Sequence, residues 1–327
     1  MKKKIYTFTL SLFVVLFLIY FVWASAANIQ KEALKRHLSE EWFVKLSDEN
    51  ITTNGFPFKF GIKVSNFQSP LKNTQLTLEF LNLELVRLIY NISDVILFIN
   101  RPKITSMVSP KFNSSSNKMK ISISNTPFSG RFRLITEQED WQITGNKKFK
   151  GFEAKKVIFA LKDANEMKLD FYFEANDLVF SSFDKIQKRD SEKANKLTLK
   201  GTVFNSATKN REILYNAITP EFIILEQLNM NIGFLKLSCN DMIKINFFDL
   251  TTEDDFDCLL RLSSKDISKV KNENQSIQSI IDLINLIFIM QNPTNNSEPR
   301  EIPVKFSLNK GFFFINSIPV YQFPTRY

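Results

Sequence analysis

The stretch TTNGFPFKFGIKVSNF, residues 52–67, combines two signals that rarely sit so close together. Gly55 supplies a backbone angle that other residues avoid. Pro57 fixes its own φ and donates no ladder hydrogen bond. Together they read as a turn. Beyond it the chain alternates: Phe58, Phe60, Ile62 and Val64 fall on one face, Lys59, Gly61, Lys63 and Ser65 on the other. A turn that feeds an amphipathic strand predicts a sheet with one face on a core.

Working outward, the same period recurs. Met119, Ile121 and Ile123 share a face, as do Met167, Leu169, Phe171 and Phe173, Ile243, Ile245 and Phe247, and Val304, Phe306 and Leu308. Leu76, Leu78 and Phe80 alternate, and the phase then moves to Leu81, Leu83 and Leu85. A one-residue shift predicts a β-bulge there. Strand-like runs separated by Asn, Ser, Asp and Lys predict a mainly β (α+β) protein. Its body is a large curved antiparallel sheet, groove-like or sandwich-like, with a few packed helices. Two helices are expected: one opening at Thr219 and Pro220, and one carrying Ile277, Ile280, Ile281, Ile284, Ile287 and Phe288 at helical spacing.

The N-terminus adds an element of another kind. After Lys2, Lys3 and Lys4, residues 5–30 carry no charge, and Ile5 to Ala27 would span roughly 34 Å as a helix. That length crosses a bilayer core of about 30 Å. Ala24-Ser25-Ala26 also fits a signal-peptidase site, so a retained anchor and a cleaved signal both stand. The lysines predict a cytoplasmic N-terminus with the rest of the chain across the membrane. The expected organisation is a transmembrane anchor over 1–27, a juxtamembrane helix over 28–50 and a periplasmic β-rich domain over 51–327.

The chemistry-bearing residues are few. The net charge is +9, and setting aside Lys2, Lys3 and Lys4 leaves +6 scattered among acids, which argues against nucleic acid as a partner. The single His37 lies in the segment next to the anchor, remote from Cys239 and Cys258, so no metal site and no cofactor is expected. The two cysteines lie in strand-like segments. They read either as a disulfide in an oxidising compartment or as two buried thiols. Glu253, Asp254 and Asp255 read as a solvated turn. No nucleophile elbow or glycine-rich phosphate loop is present, and the chain reads as a non-enzyme.

An anchor, a short Trp-bearing helix and then Gly55-Phe56-Pro57-Phe58 entering an alternating strand resembles a Gram-negative envelope family of unassigned function, domain of unknown function 2125. The C-terminal run IPVKFSLNKGFFFINSIPVYQFP is similar to that family's closing hairpin, with Gly311 in the turn and Pro319 and Pro324 in the tail. Asn316-Ser317 stands where the family often has Gly-Pro. The layout also resembles AsmA-like envelope proteins. The resemblance implies an inner-membrane protein with a curved sheet whose apolar face binds or guides phospholipid or another hydrophobic molecule. The alternative is an envelope scaffold acting through protein contacts.

Overall fold

The computed structural model describes residues 2–42, 47–70, 76–88, 91–106, 112–125, 132–145, 151–165, 168–180, 195–204, 222–232, 235–239, 242–246, 251–252, 255–262 and 300–322. These are mostly antiparallel strands, with one α-helix among them. The helix, α1, runs unbroken from Lys2 to Trp42. The anchor and the juxtamembrane helix expected over 28–50 are therefore one element as far as Trp42. A 3-10 turn, Asp48–Asn50, leads into the first strand. The chain divides into two compact units, 1–149 and 150–327, and each is described by itself.

The first unit is a meander of β1 (Ile51–Asn54), β2 (Lys59–Pro70), β3 (Leu76–Leu88), β4 (Asn91–Asn100), β5 (Lys103–Ser106), β6 (Asn113–Ser115), β7 (Lys118–Asn125) and β8 (Phe132–Thr144). β4 and β5 lie end to end against β3, and β6 and β7 end to end against β8. Within the run SPKFNSSSN, Asn113–Ser115 form strand β6. The core joins Ile51, Ile62, Val64, Phe67, Phe80 and Ile99. Phe67 and Phe80 stack at 4.5 Å.

The phase shift read at Leu81 is a property of the whole sheet rather than a bulge in β3. The β2–β3 pairing keeps one register through it, Ser65 opposite Asn82 and Phe67 opposite Phe80, so no residue is inserted. Leu81 faces away from the core and is 44% exposed, while Leu78, Phe80, Leu83 and Leu85 pack on the core face. The same change of face occurs in each strand crossed. Val64 and Phe67 point in, with Ser65 and Asn66 between them. Ile99 and Pro102 flank Asn100 and Arg101 in the same way, and Glu139 and Asp140 are exposed in β8. Asn66, Arg101 and Asp140 carry positive φ of 53°, 52° and 52°. Asn and Asp tolerate this conformation best among non-glycine residues. Hydrogen bonds from Arg101 N to Asn117 O and from Asn117 N to Glu139 O continue the ladder across this crease. Its outer side is polar: Ser65 Oγ lies 3.0 Å from Asn82 Oδ1, and Asn117 Nδ2 donates to Asp140 Oδ2.

The second unit contains β9 (Phe152–Asn165), β10 (Lys168–Asn176), β11 (Val179–Phe180), β12 (Lys196–Phe204), β13 (Phe222–Ile232), β14 (Leu235–Cys239), β15 (Ile243–Asn246), β16 (Thr251–Thr252), β17 (Phe256–Leu262), β18 (Arg300–Asn309), β19 (Phe312–Ile315) and β20 (Ile318–Gln322). The paired strands run antiparallel throughout. The helix expected from Thr219 is instead strand β13 over its described part. Ile223, Ile224 and Leu225 lie between β12 and β15, and paired backbones on both sides outweigh a helical N-cap signal. Thr219 and Pro220 lie outside the described residues, as does the helix expected over 277–288. The core of this unit gathers Leu237, Leu260, Val304 and Phe306 around Cys239 and Cys258.

A bulge between Lys200 and Gly201 leaves Glu226 as the extra residue of β13. Glycine is required beside it, because a Cβ at Gly201 would fall 2.2 Å from Ile224 O and 2.8 Å from the Phe171 ring.

Candidate functional site

The helix and the first sheet meet at the Gly-Phe-Pro-Phe turn. Residues 12–22 form an unbroken run of exposed side chains, and the segment Leu12–Arg36 is long and apolar enough to cross a membrane. Burial begins at Trp23, 9% exposed, and Ala27, 2% exposed. Trp23 Nε1 donates to the Lys59 carbonyl at 3.0 Å, and its indole stacks on Phe60 at 6.2 Å. Phe56 sets its edge against both Tyr20 and Trp23, at 5.3 and 5.7 Å. Further along, the same helix reaches the sheet core through Leu34.

The turn explains the composition of the motif. Gly55 has φ of +102°, and its carbonyl accepts from Lys59 N at 2.9 Å. A Cβ there would meet the Lys59 side chain at 2.4 Å. The Phe56–Pro57 peptide is cis. Phe58 belongs to this turn and not to the alternating strand. It is 74% exposed, and the inward set of β2 begins at Phe60.

From the turn, the core-facing side of the sheet is apolar across β2, β3, β4 and β7, and the rows end in Thr53 of β1 and in Thr136 and Gln138 of β8. Ile62, Leu85, Leu97 and Ile121 occupy one transverse row. Val64, Leu83, Ile99 and Met119 occupy the next, on the side toward the crease. Among the described residues, α1 is the helix packed on the sheet, and it lies over β1 and β2. Leu83, Leu85, Met119 and Ile121 remain half-buried.

One charge interrupts the pattern. Arg87 pairs in register with Phe60 on one side and Val95 on the other, in the row nearest Trp23. It shares the inward phase of Leu83 and Leu85. Its Nε is buried without a hydrogen-bond partner among the described residues. The nearest acid of the same strand, Glu84, faces the opposite side and is engaged by Lys59 Nζ at 3.2 Å. Sequence reasoning missed Arg87. Its signal was a single cation in an otherwise apolar phase.

The other residues singled out by sequence are spread apart. Gly311, φ +80°, and Lys310, φ 49°, form the turn between β18 and β19, and Asn316 and Ser317 form the next with φ of 48° and 66°. Two successive positive φ values suit a two-residue hairpin turn. Pro319 lies in β20, and Pro324 lies outside the described residues. Cys239 and Cys258 are directly opposite in β14 and β17 and are joined as a disulfide. His37 lies on α1, its side chain outside the described residues. Asp255 is exposed, and Glu253 and Asp254 are not described. No group of three or more His, Cys, Asp or Glu side chains able to hold a metal occurs among the described residues.

The most perturbed titratable pair among the described residues is in the second unit. Glu174 accepts from Tyr172 Oη, from Lys196 Nζ at 2.8 Å and from Asn176 Nδ2 at 2.7 Å. These hydrogen bonds, that of Lys196 foremost, hold its carboxyl down to about 2. The bond to Glu174 pushes the Tyr172 phenol up to about 12. With its donors all directed at one carboxylate, this cluster is a structural clasp between β10 and β12 rather than a poised acid–base pair.

No family model matches the chain, and neither does any curated protein or solved structure.

Proposed function

We propose that the chain is a membrane-anchored envelope protein that binds or guides a lipid along the apolar face of its first sheet. One observation carries this reading. The apolar rows open at the same strand ends where a helix of membrane-spanning length docks through Trp23. A hydrocarbon chain leaving the bilayer beside α1 meets Phe60, then Ile62 and Leu85, without crossing water. Burying apolar surface in this way is worth roughly 25 cal/mol per Å². Phe56 packs against Tyr20 and Trp23, at the end of the exposed apolar run, where aromatic side chains favour the headgroup region.

Lys2, Lys3 and Lys4 favour the cytoplasmic side, leaving both units in the periplasm. The Cys239–Cys258 disulfide supports that oxidising compartment. The resemblance to AsmA-like proteins points the same way.

The test is mass spectrometry of lipids extracted from the purified full-length protein. Stoichiometric phospholipid is expected, reduced by Leu85→Asp or Ile121→Asp on the inner face and unchanged by Leu81→Asp on the outer face. A folded, lipid-free protein overturns the reading and moves the function to a protein scaffold.

A further inference from the structure

We infer that Arg87 holds the phosphate of a phospholipid whose acyl chains lie on the apolar rows; this rests on the lipid reading above. Three observations converge on that residue. The first is its isolation. Arg87 is half-buried on an apolar face, and its Nε is buried and unpaired among the described residues, an arrangement that favours an anionic partner. The nearest acid on its own strand, Glu84, is turned to the other face and bound by Lys59.

The second is its level. Arg87 is aligned with Phe60, and Phe60 stacks on Trp23, where the exposed apolar run of α1 ends. With the exposed run of α1 in the bilayer as far as Trp23, that is the depth at which a lipid in the adjoining leaflet would carry its phosphate. A headgroup held there need not be drawn through an apolar channel, a step that would cost its full desolvation.

The third is length. The strand from the Phe60–Arg87 row to the crease at Ser65 covers about 17 Å, at roughly 3.3 Å per residue. One leaflet's half of the hydrocarbon core is about 15 Å. The apolar rows between Arg87 and the crease therefore match an acyl chain, and beyond them Ser65 and Asn66 turn the polar side of the strand. The guanidinium fork suits two phosphate oxygens at once, which a lysine ammonium does not.

The experiment uses full-length protein in detergent, offered fluorescent phosphatidylglycerol or diacylglycerol with the same chains. Wild type is expected to prefer the phospholipid by roughly tenfold or more, as for a charge-assisted pair. Arg87→Gln should abolish that preference by weakening phospholipid capture while leaving diacylglycerol capture unchanged. Arg87→Lys should restore part of it. An unchanged preference in a folded Arg87→Gln variant overturns the assignment and leaves the lipid reading standing. Capture of neither lipid by wild type overturns the lipid reading itself. Displacement by glycerol phosphate alone, at concentrations matching the lipid, makes this a soluble-phosphate site and overturns the assignment to a lipid.

Discussion

The Trp23 indole N–H donates to the carbonyl of Lys59 at 3.0 Å and thereby ties the end of the exposed apolar helix to the first long strand. Trp23→Phe keeps a ring against Phe60 but orphans that carbonyl. A loss of about 1 kcal/mol is expected. Trp23→Ala also empties the space under Phe56 and should cost about 3–5 kcal/mol. Thermal unfolding of the detergent-solubilised protein distinguishes the two. A Trp23→Phe variant as stable as wild type would mean that the hydrogen bond contributes nothing.

The crease gives a prediction about side-chain shape. Asn66 and Asp140 hold positive φ in mid-strand. Asn66→Gly should be neutral or slightly stabilising, whereas Asn66→Val should cost about 1–2 kcal/mol for the left-handed conformation alone. Chemical denaturation measures both, and a tolerated valine would show that the sheet runs straight there.

Arg87 should be a liability in the lipid-free state. Arg87→Leu removes a buried donor that no described residue satisfies and extends the row of Phe60 and Val95. The delipidated variant is expected to gain about 1–3 kcal/mol. A loss of similar size would show that the guanidinium has a protein partner.

The Tyr172–Glu174–Lys196 clasp makes stability depend on pH at both extremes. Glu174 is held down to about 2, so its contribution is complete above about 4.5 and disappears as pH falls toward about 2. Tyr172 is pushed up to about 12, so its contribution is complete below about 10 and is lost as pH rises toward about 12. Glu174→Gln should lower the melting temperature at neutral pH and flatten both limbs. A variant with wild-type limbs would place the pH dependence elsewhere.

The disulfide closes a separation of 19 residues. Replacing Cys239 and Cys258 together by alanine should cost about 3 kcal/mol through the freed unfolded chain. Unfolding with and without reductant checks this; identical midpoints for wild type would refute it.

Much of this architecture was legible in the sequence, for reasons that differ by element. The unbroken apolar stretch before Trp23 announces a membrane-length helix because no charge interrupts it. The alternation of Phe60, Ile62 and Val64, and again of Met119 and Ile121, announces strands because a sheet with one covered face must repeat every second residue. Gly55 announces a turn because glycine accepts that φ without strain. Tertiary structure decided the rest. Local propensity fails in β13, where Thr219 and Pro220 suggest a helix but neighbouring backbones on both sides of Ile223 and Ile224 supply the hydrogen bonds of a strand. The phase change at Leu81 is visible in one strand. Its meaning depends on Asn66, Arg101 and Asp140, which become one line only when the strands are aligned. Arg87 reads in isolation as an ordinary charge near a strand end. It becomes a candidate site because pairing with Phe60 and Val95 places it inward, on the face away from Glu84. Periodicity is a local property that a chain carries by itself, whereas which residue stands opposite which is fixed only by long-range pairing.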